Sequence, residues 1–392
     1  MGIAPYVTGL AEHLSARGDE VIVVTGVPHY PAWRLPEHTR AIASEVRAGV
    51  RLRRRRHYVP GSQSALRRAL YEGSFLAMGL TGIGLRRRPD VILGISPALA
   101  GAVLAAAASR VYRRPYGLVF QDLMGRAAEQ ALVKGGRRVS TGVRRVELGL
   151  AARALAIGVI SEGFRGYLSA AGIDPHRVHL LRNWMHSEVE PSETVEETRA
   201  RLGWQTYEFV CLHSGNMGHK QGLENVLEAA RLLPGDVRIV LAGDGNERGR
   251  LERHAAVLGL SNVEFVPVQP PGFYEAMLRA ADLLIVNQRR TVTDMSLASR
   301  LTSYFGAGRP VVAAVAGESE TGREILAAGA GCVVPSETPH ALANMILTLR
   351  ELPTRREEYG AAGRRYAAEK LTAVVALKEY ERFIDRLTSD SS

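Results

Sequence analysis

Residues 209 to 233 read FVCLHSGNMGHKQGLENVLEAARLL, and the fold turns on how this stretch is parsed. It opens with an apolar run of strand length and closes with Leu223, Val226, Leu227, Ala230 and Leu233 at helical spacing. The loop between them carries Gly215, Asn216, Gly218 and Lys220. Glycines at a strand-to-helix turn let backbone N–H groups approach a ligand, and a helix start adds partial positive charge. Lys220 can add a full charge on a flexible stem, so phosphate is the natural occupant. Taken alone, the loop reads equally well as a glycine-capped turn with an exposed lysine.

The same grammar extends in both directions. Strand-like runs recur as VIVVTG (21–26), VILGIS (91–96), YGLVFQD (116–122), ALAIGVIS (154–161) and VHLLRN (178–183). They continue as VRIVLAGDG (237–245), VEFVPV (263–268), DLLIVNQ (282–288), PVVAAV (310–315) and GCVVP (331–335). Near-continuous apolar runs are what strands buried on both faces look like. Their alternation with helical patterns predicts an α/β chain with doubly wound parallel sheets. The polar stretch WMHSEVEPSETVEETRARLGW (184–204) reads as a connector. The expected organisation is a Rossmann-like domain over 1–186, a linker over 187–203, a second Rossmann-like domain over 204–352, and terminal helices over 353–392 crossing back to the first domain. Ligands of such sheets bind beyond the carboxyl ends of the strands. There Gly243 and Gly245 form one turn, and Ser296 and Ser299 stand as helix caps in another.

Composition narrows the function classes. With 392 residues and 46% hydrophobic side chains, the chain can bury a large core, which excludes a disordered protein. Cys211 and Cys332 sit in apolar runs without metal or redox spacing and read as inert thiols of a reducing cytoplasm. The net charge of +10 is uneven: residues 1–186 hold 27 Lys+Arg against 12 Asp+Glu, or +15, and the remainder 23 against 28, or −5. A basic half suits an anionic membrane or nucleic acid, and equally a solvated arginine surface, since only four of the fifty basic residues are lysine. Aromatics, at 6%, do not interleave with the arginines, which argues against nucleic acid. The uncharged stretch 91–108 is broken by Ser96-Pro97 and reads as a strand followed by a helix. Residues 74–88, SFLAMGLTGIGLRRR, suit either a helix on the inner face of the cell membrane or a core helix with a basic end. The run Arg51–Arg56 is expected on an exposed strand within reach of lipid phosphates.

The GNMGHKQG loop, the AGDG turn (242–245), DMSLASRL (294–301) and YFGAGRPVV (304–312) together resemble the carboxyl-terminal domain of retaining family-4 glycosyltransferases with the GT-B fold. The colanic-acid and exopolysaccharide biosynthesis branch is the most similar. MGIAPYVTGLAEHLSARGDEVIVVTGVPHYPAW (1–33), VFQDLM (119–124) and VISEGFRGYL (159–168) resemble the first half of that group. The resemblance implies two Rossmann-like domains facing a cleft, with a nucleotide diphosphate sugar on the second and a lipid-linked or oligosaccharide acceptor on the first. Carried over residue by residue, Gly215, Asn216, Gly218 and Lys220 line the diphosphate, Gly243 and Gly245 pack near the nucleoside, and Asp294 to Arg300 wrap the donor. It also implies a buried strand ahead of a Gly-Gly turn. This chain opens at Met1-Gly2-Ile3, already in that turn, so the first strand is expected upstream and Gly2 falls on the acceptor side.

Two departures bear on donor binding. Relatives carry two glutamates eight positions apart, the second on the ribose; Met295 and Ser303 stand in those places, and Ser303 offers only a hydroxyl. The lysine common directly before the loop glycine is Gln221 here, with Lys220 one position earlier. Charge building on a leaving diphosphate calls for fixed cations, which Lys220 and Arg300 supply. Asp122, closing the run YGLVFQD, either orients the acceptor hydroxyl and assists its deprotonation or caps the following helix. The expected catalytic set is therefore Asp122, Lys220 and Arg300, with His29 and Tyr30 at the acceptor entrance. No Asp-x-Asp sequence occurs, so transfer without metal or cofactor is expected. The rival reading is a sugar-nucleotide 2-epimerase of similar fold, which needs acid–base carboxylates and histidines in the cleft.

Overall fold

The computed structural model describes residues 3–29, 34–61, 64–84, 88–96, 98–123, 136–185, 191–292 and 300–389. They fall into two compact units, one of Met1–Arg182 with Val374–Ser392, the other of Asn183–Ala373. Both are Rossmann-like α/β units built on parallel strands.

In the first unit, β1 (Ile22–Gly26), β2 (Ile42–Arg47) and β3 (Val50–Arg55) form a sheet in the order β1-β3-β2. A second sheet contains β4 (Ile92–Ile95), β5 (Tyr116–Phe120), β6 (Ala156–Val159) and β7 (Val178–Leu180) in chain order. Only the β2–β3 pairing is antiparallel among these strands. β5 and β6 are buried along their whole length, as their unbroken apolar sequences require. The uncharged stretch 91–108 is β4 followed by the helix Leu99–Tyr112. That helix packs tightly on β4: a Cβ on Gly94 would lie 2.9 Å from the Ala105 methyl. Among the described residues, no helix is long and apolar enough to cross a membrane.

The arginine run departs from expectation. β3 is the central strand of its sheet, not an exposed one, and its guanidinium groups are engaged within the unit. Arg53 donates to the Gly82 carbonyl at 2.7 Å, and buried Arg55 donates to the Thr81 hydroxyl at 2.9 Å and to the Thr81 carbonyl at 3.2 Å. Arg51 and Arg54 pair with Glu20 and Glu45.

In the second unit, β8 (Phe209–Asn216), β9 (Val237–Asp244), β10 (Val263–Val266), β11 (Leu283–Asn287), β12 (Val311–Val315) and β13 (Gly331–Pro335) form one parallel sheet. Its order is β10-β9-β8-β11-β12-β13, so the winding reverses between β8 and β11. Apolar layers cover both faces, one around Trp204, Tyr304 and Phe305, the other around Leu227, Ile239 and Ile346. The expected linker contains a helix, Val195–Leu202, opened by a capping box between Thr194 and Glu197. Arg199 ties it to Asp282 at 3.2 Å.

The terminal helices divide between the units. Pro353–Lys370 stays with the second, where Tyr366 meets Phe305 edge to face at 5.7 Å. Ala373–Ser389 belongs to the first, where Phe383 and Leu387 fill the space over Gly117 and Glu381 contacts His13 at 2.8 Å.

Candidate functional site

The reversal in strand order places the carboxyl ends of β8 and β11 side by side with helices departing to opposite faces of the sheet, the position where open α/β sheets bind ligands. β8 is buried through Ser214 and emerges at Gly215 and Asn216. The end of β11 secures the loop that follows. Buried Asn287 donates to the Gln221 and Gly222 carbonyls at 2.6 and 2.9 Å and accepts from Asn225 at 2.8 Å. Arg289 donates its backbone N–H to Lys220 O at 3.0 Å and its side chain to His219 O at 2.8 Å. The Lys220 side chain is left exposed, and among the described residues no hydrogen bond or ion pair holds its ammonium.

A second cation converges on the same strand end. The Arg300 guanidinium lies 3.5 Å from where a Cβ on Gly215 would stand, and its Nη1 is 2.7 Å from Nε2 of buried His213. Below them, the Ser214 N–H donates to Tyr304 at 2.8 Å, and the Ser214 hydroxyl bonds the Tyr274 hydroxyl at 3.0 Å. Burial pushes Tyr274 up to about 12, with Tyr304 adding to the rise, and Ser303 also bonds its hydroxyl. Ser303, expected near a ribose, thus faces this tyrosine network.

Other expected residues take different parts. Gly243 and Gly245 have φ of 136° and 158°, and Cβ atoms there would lie 2.0 Å from Gly215 O and 2.4 Å from Met217 O. Their bare backbones pack against the β8 loop itself and shape it. The Gly218 N–H is already taken by the Gln221 side chain at 3.2 Å. The helix Glu224–Ala230 opens on Glu224, whose carboxylate meets Arg250 and Arg289. Burial works against that charge, but its own backbone N–H and the two arginines hold the pKa below the usual range. Lys220 and Arg300, by contrast, have no carboxylate partner among the described residues.

In the first unit, Asp122 follows β5; its Oδ1 accepts from Leu123 N–H at 2.9 Å, and its carbonyl accepts from Ser96 at 2.9 Å. His29 is built into an aromatic group, with Nδ1 at 2.9 Å from Val27 O, Nε2 at 3.3 Å from the Tyr71 hydroxyl, and its ring edge-on to His57. Gly2, Tyr30, Asp294, Ser296 and Ser299 lie outside the described residues. His213 and Asn287 were not anticipated, although each is a polar residue in an apolar run, a signal open to sequence reading. Among the described residues, no group of three or more His, Cys, Asp or Glu is placed to hold a metal ion.

A family model described as glycosyl transferases group 1 matches residues 194–366, and one described as glycosyl transferase 4-like domain matches residues 1–184. WcaI of Escherichia coli, a glycosyl transferase assigned to colanic acid biosynthesis, is 30% identical over 399 residues, covering 97% of this chain and 95% of WcaI. Sucrose-phosphate synthase of Thermosynechococcus elongatus shares the fold with a TM-score of 0.77 at 19% identity, over 100% of this chain and 94% of that one. Anabaena HepE in complex with UDP-glucose gives 0.71 at 17% identity, over 99% and 96%. The two family matches meet near the boundary between the two units, and WcaI matches almost from end to end, so the chain belongs to the group 1 glycosyl transferases with a glycosyl transferase 4-like first domain, and is a glycosyltransferase of GT-B fold.

Proposed function

We propose that this glycosyltransferase moves a sugar from a nucleotide diphosphate sugar to a lipid-linked or oligosaccharide acceptor, with retention and without a metal, in the assembly of an exopolysaccharide or other cell-surface glycan. The observation that carries this reading is Arg300, held by His213 against the exposed end of β8 at the reversal of the sheet, with exposed Lys220 in the loop that follows that strand. One fixed cation and one on a flexible stem there suit a diphosphate gaining charge as it leaves. HepE is solved with UDP-glucose, and WcaI is assigned to colanic acid, which supports the donor and pathway classes.

In the proposed reaction the anomeric C–O bond to the phosphate breaks and a C–O bond to the acceptor forms on the same face. The acceptor proton passes to the departing phosphate oxygen. The lack of Asp-x-Asp in the sequence supports metal independence. Asp122, at the end of β5, orients the acceptor hydroxyl. The helix Ala65–Leu80 supplies a peripheral contact with the inner face of an anionic membrane: Leu66, Leu70 and Leu80 are exposed on it beside Arg67.

Thermal-shift titration with a panel of UDP-, GDP- and dTDP-sugars tests the reading, since a bound donor stabilises the folded state. One donor should raise the transition temperature, and Lys220→Ala should abolish that rise. Asp122→Asn should keep it while lowering transfer. A Lys220→Ala protein that binds and turns over normally defeats the assignment.

A further inference from the structure

We infer that His213 is the positioning residue for Arg300, holding its guanidinium over the end of β8 and against the donor diphosphate without neutralising it. The inference rests on the donor reading above and adds a residue that makes no ligand contact itself.

His213 is fully buried between the apolar residues of β8 and β11. Arg300 Nη1 lies 2.7 Å from Nε2 and 3.2 Å from Nδ1, but only Nδ1 also meets a backbone carbonyl. Nδ1 lies 3.2 Å from the Ile285 carbonyl oxygen, which can only accept, so Nδ1 carries the ring proton. Nε2 lies 2.7 Å from Arg300 Nη1, which can only donate, so Nε2 presents its lone pair. One neutral tautomer satisfies both partners. Burial, and then the adjacent guanidinium, hold the ring well below its usual pKa and keep it in that form.

The chemical point is the choice of acceptor. A carboxylate under Arg300 would fix the guanidinium equally well but cancel the charge that an anionic ligand needs. Among the described residues no carboxylate lies within ion-pair distance of Arg300. A neutral imidazole fixes direction and leaves the full positive charge. The guanidinium then covers Gly215, the first exposed residue of β8.

The test is calorimetric titration of the full chain with UDP, GDP and dTDP, and with uridine, guanosine and thymidine. His213→Asn keeps a donor for Ile285 O but withdraws the acceptor from Arg300; His213→Gln places an amide oxygen near the position of Nε2. Affinity for the preferred nucleoside diphosphate should fall about tenfold in His213→Asn and stay within about threefold in His213→Gln, with nucleoside affinity unchanged in both. In an Arg300→Met background, His213→Asn should have no further effect. A wild-type affinity retained by His213→Asn overturns the inference, as does a parallel loss of nucleoside affinity or a full effect persisting without Arg300. Should His213→Asn fail to fold, His213→Glu decides: it keeps an acceptor but cancels the charge, so it must weaken the diphosphate and not the nucleoside. A wild type that binds none of the nucleoside diphosphates overturns both this inference and the donor reading, whereas one that binds while the variants match it overturns this inference alone.

Discussion

Gly243 backs so closely onto Gly215 that a Cβ on Gly243 would meet the Gly215 carbonyl oxygen at 2.0 Å. With φ at 136°, its backbone is also in a region that L side chains avoid. Gly243→Ala must drive apart the ends of β8 and β9. It is expected to destabilise the second unit by about 2–4 kcal/mol, measured as a lowered denaturant midpoint. A shift within about 0.5 kcal/mol of zero, the ordinary surface range, would contradict the close approach.

Asn287 secures the loop that follows β8. Removing its amide in Asn287→Ala leaves the Gln221 and Gly222 carbonyls and the Asn225 amide without that partner. The cost should be about 2–3 kcal/mol. Amide hydrogen exchange should quicken at Lys220–Gly222 more than in β9, which separates loop loosening from general unfolding.

His213 gives the stability a pH dependence of known sign. Its folded pKa is held well below the usual 6.5 by burial and by Arg300. Below pH 6.5 the unfolded chain therefore binds a proton that the folded chain refuses, and stability falls with falling pH. The slope from this one group approaches about 1.4 kcal/mol per pH unit, and above 6.5 its contribution is flat. Denaturant titrations between about pH 5 and 6.5 should show a shallower slope in His213→Gln. Identical slopes would mean that the ring titrates freely in the folded protein.

The arginines of β3 and the leucines of the Ala65–Leu80 helix should separate experimentally. Arg55→Met strips partners from the Thr81 carbonyl and hydroxyl and should cost about 2 kcal/mol while leaving vesicle binding intact. Leu66→Ser with Leu70→Ser, both exposed, should leave stability nearly unchanged and weaken sedimentation with phosphatidylglycerol vesicles. Unaltered sedimentation would remove that helix as the membrane contact.

β5, β6, β11 and β12 are legible in the sequence because each is a nearly unbroken apolar run, and burial on both faces leaves no other pattern available. β2 is not legible: IASEVR faces solvent along an edge, and its exposed Ile42 and Val46 imitate no buried strand. The density of charge in Arg51–Arg56 points to an exposed surface, yet long guanidinium stems reach carbonyls that only the folded chain brings near. Spacing marks Gly243 and Gly245 as turn residues but cannot say that the atoms pressing on them belong to Gly215 and Met217. Likewise His213 is conspicuous within FVCLHSG, while its partner lies 87 residues away.

The placement of Ala373–Ser389 orders events on the ribosome. Phe383 and Leu387 complete the hydrophobic interior over Gly117, so the unit made first stays unfinished until that helix has been synthesised. The unit translated in between has its whole sheet by then and can mature while its predecessor still waits. In this chain the order of birth and the order of completion are reversed, and any chaperone dependence should concentrate on the half that emerges earliest.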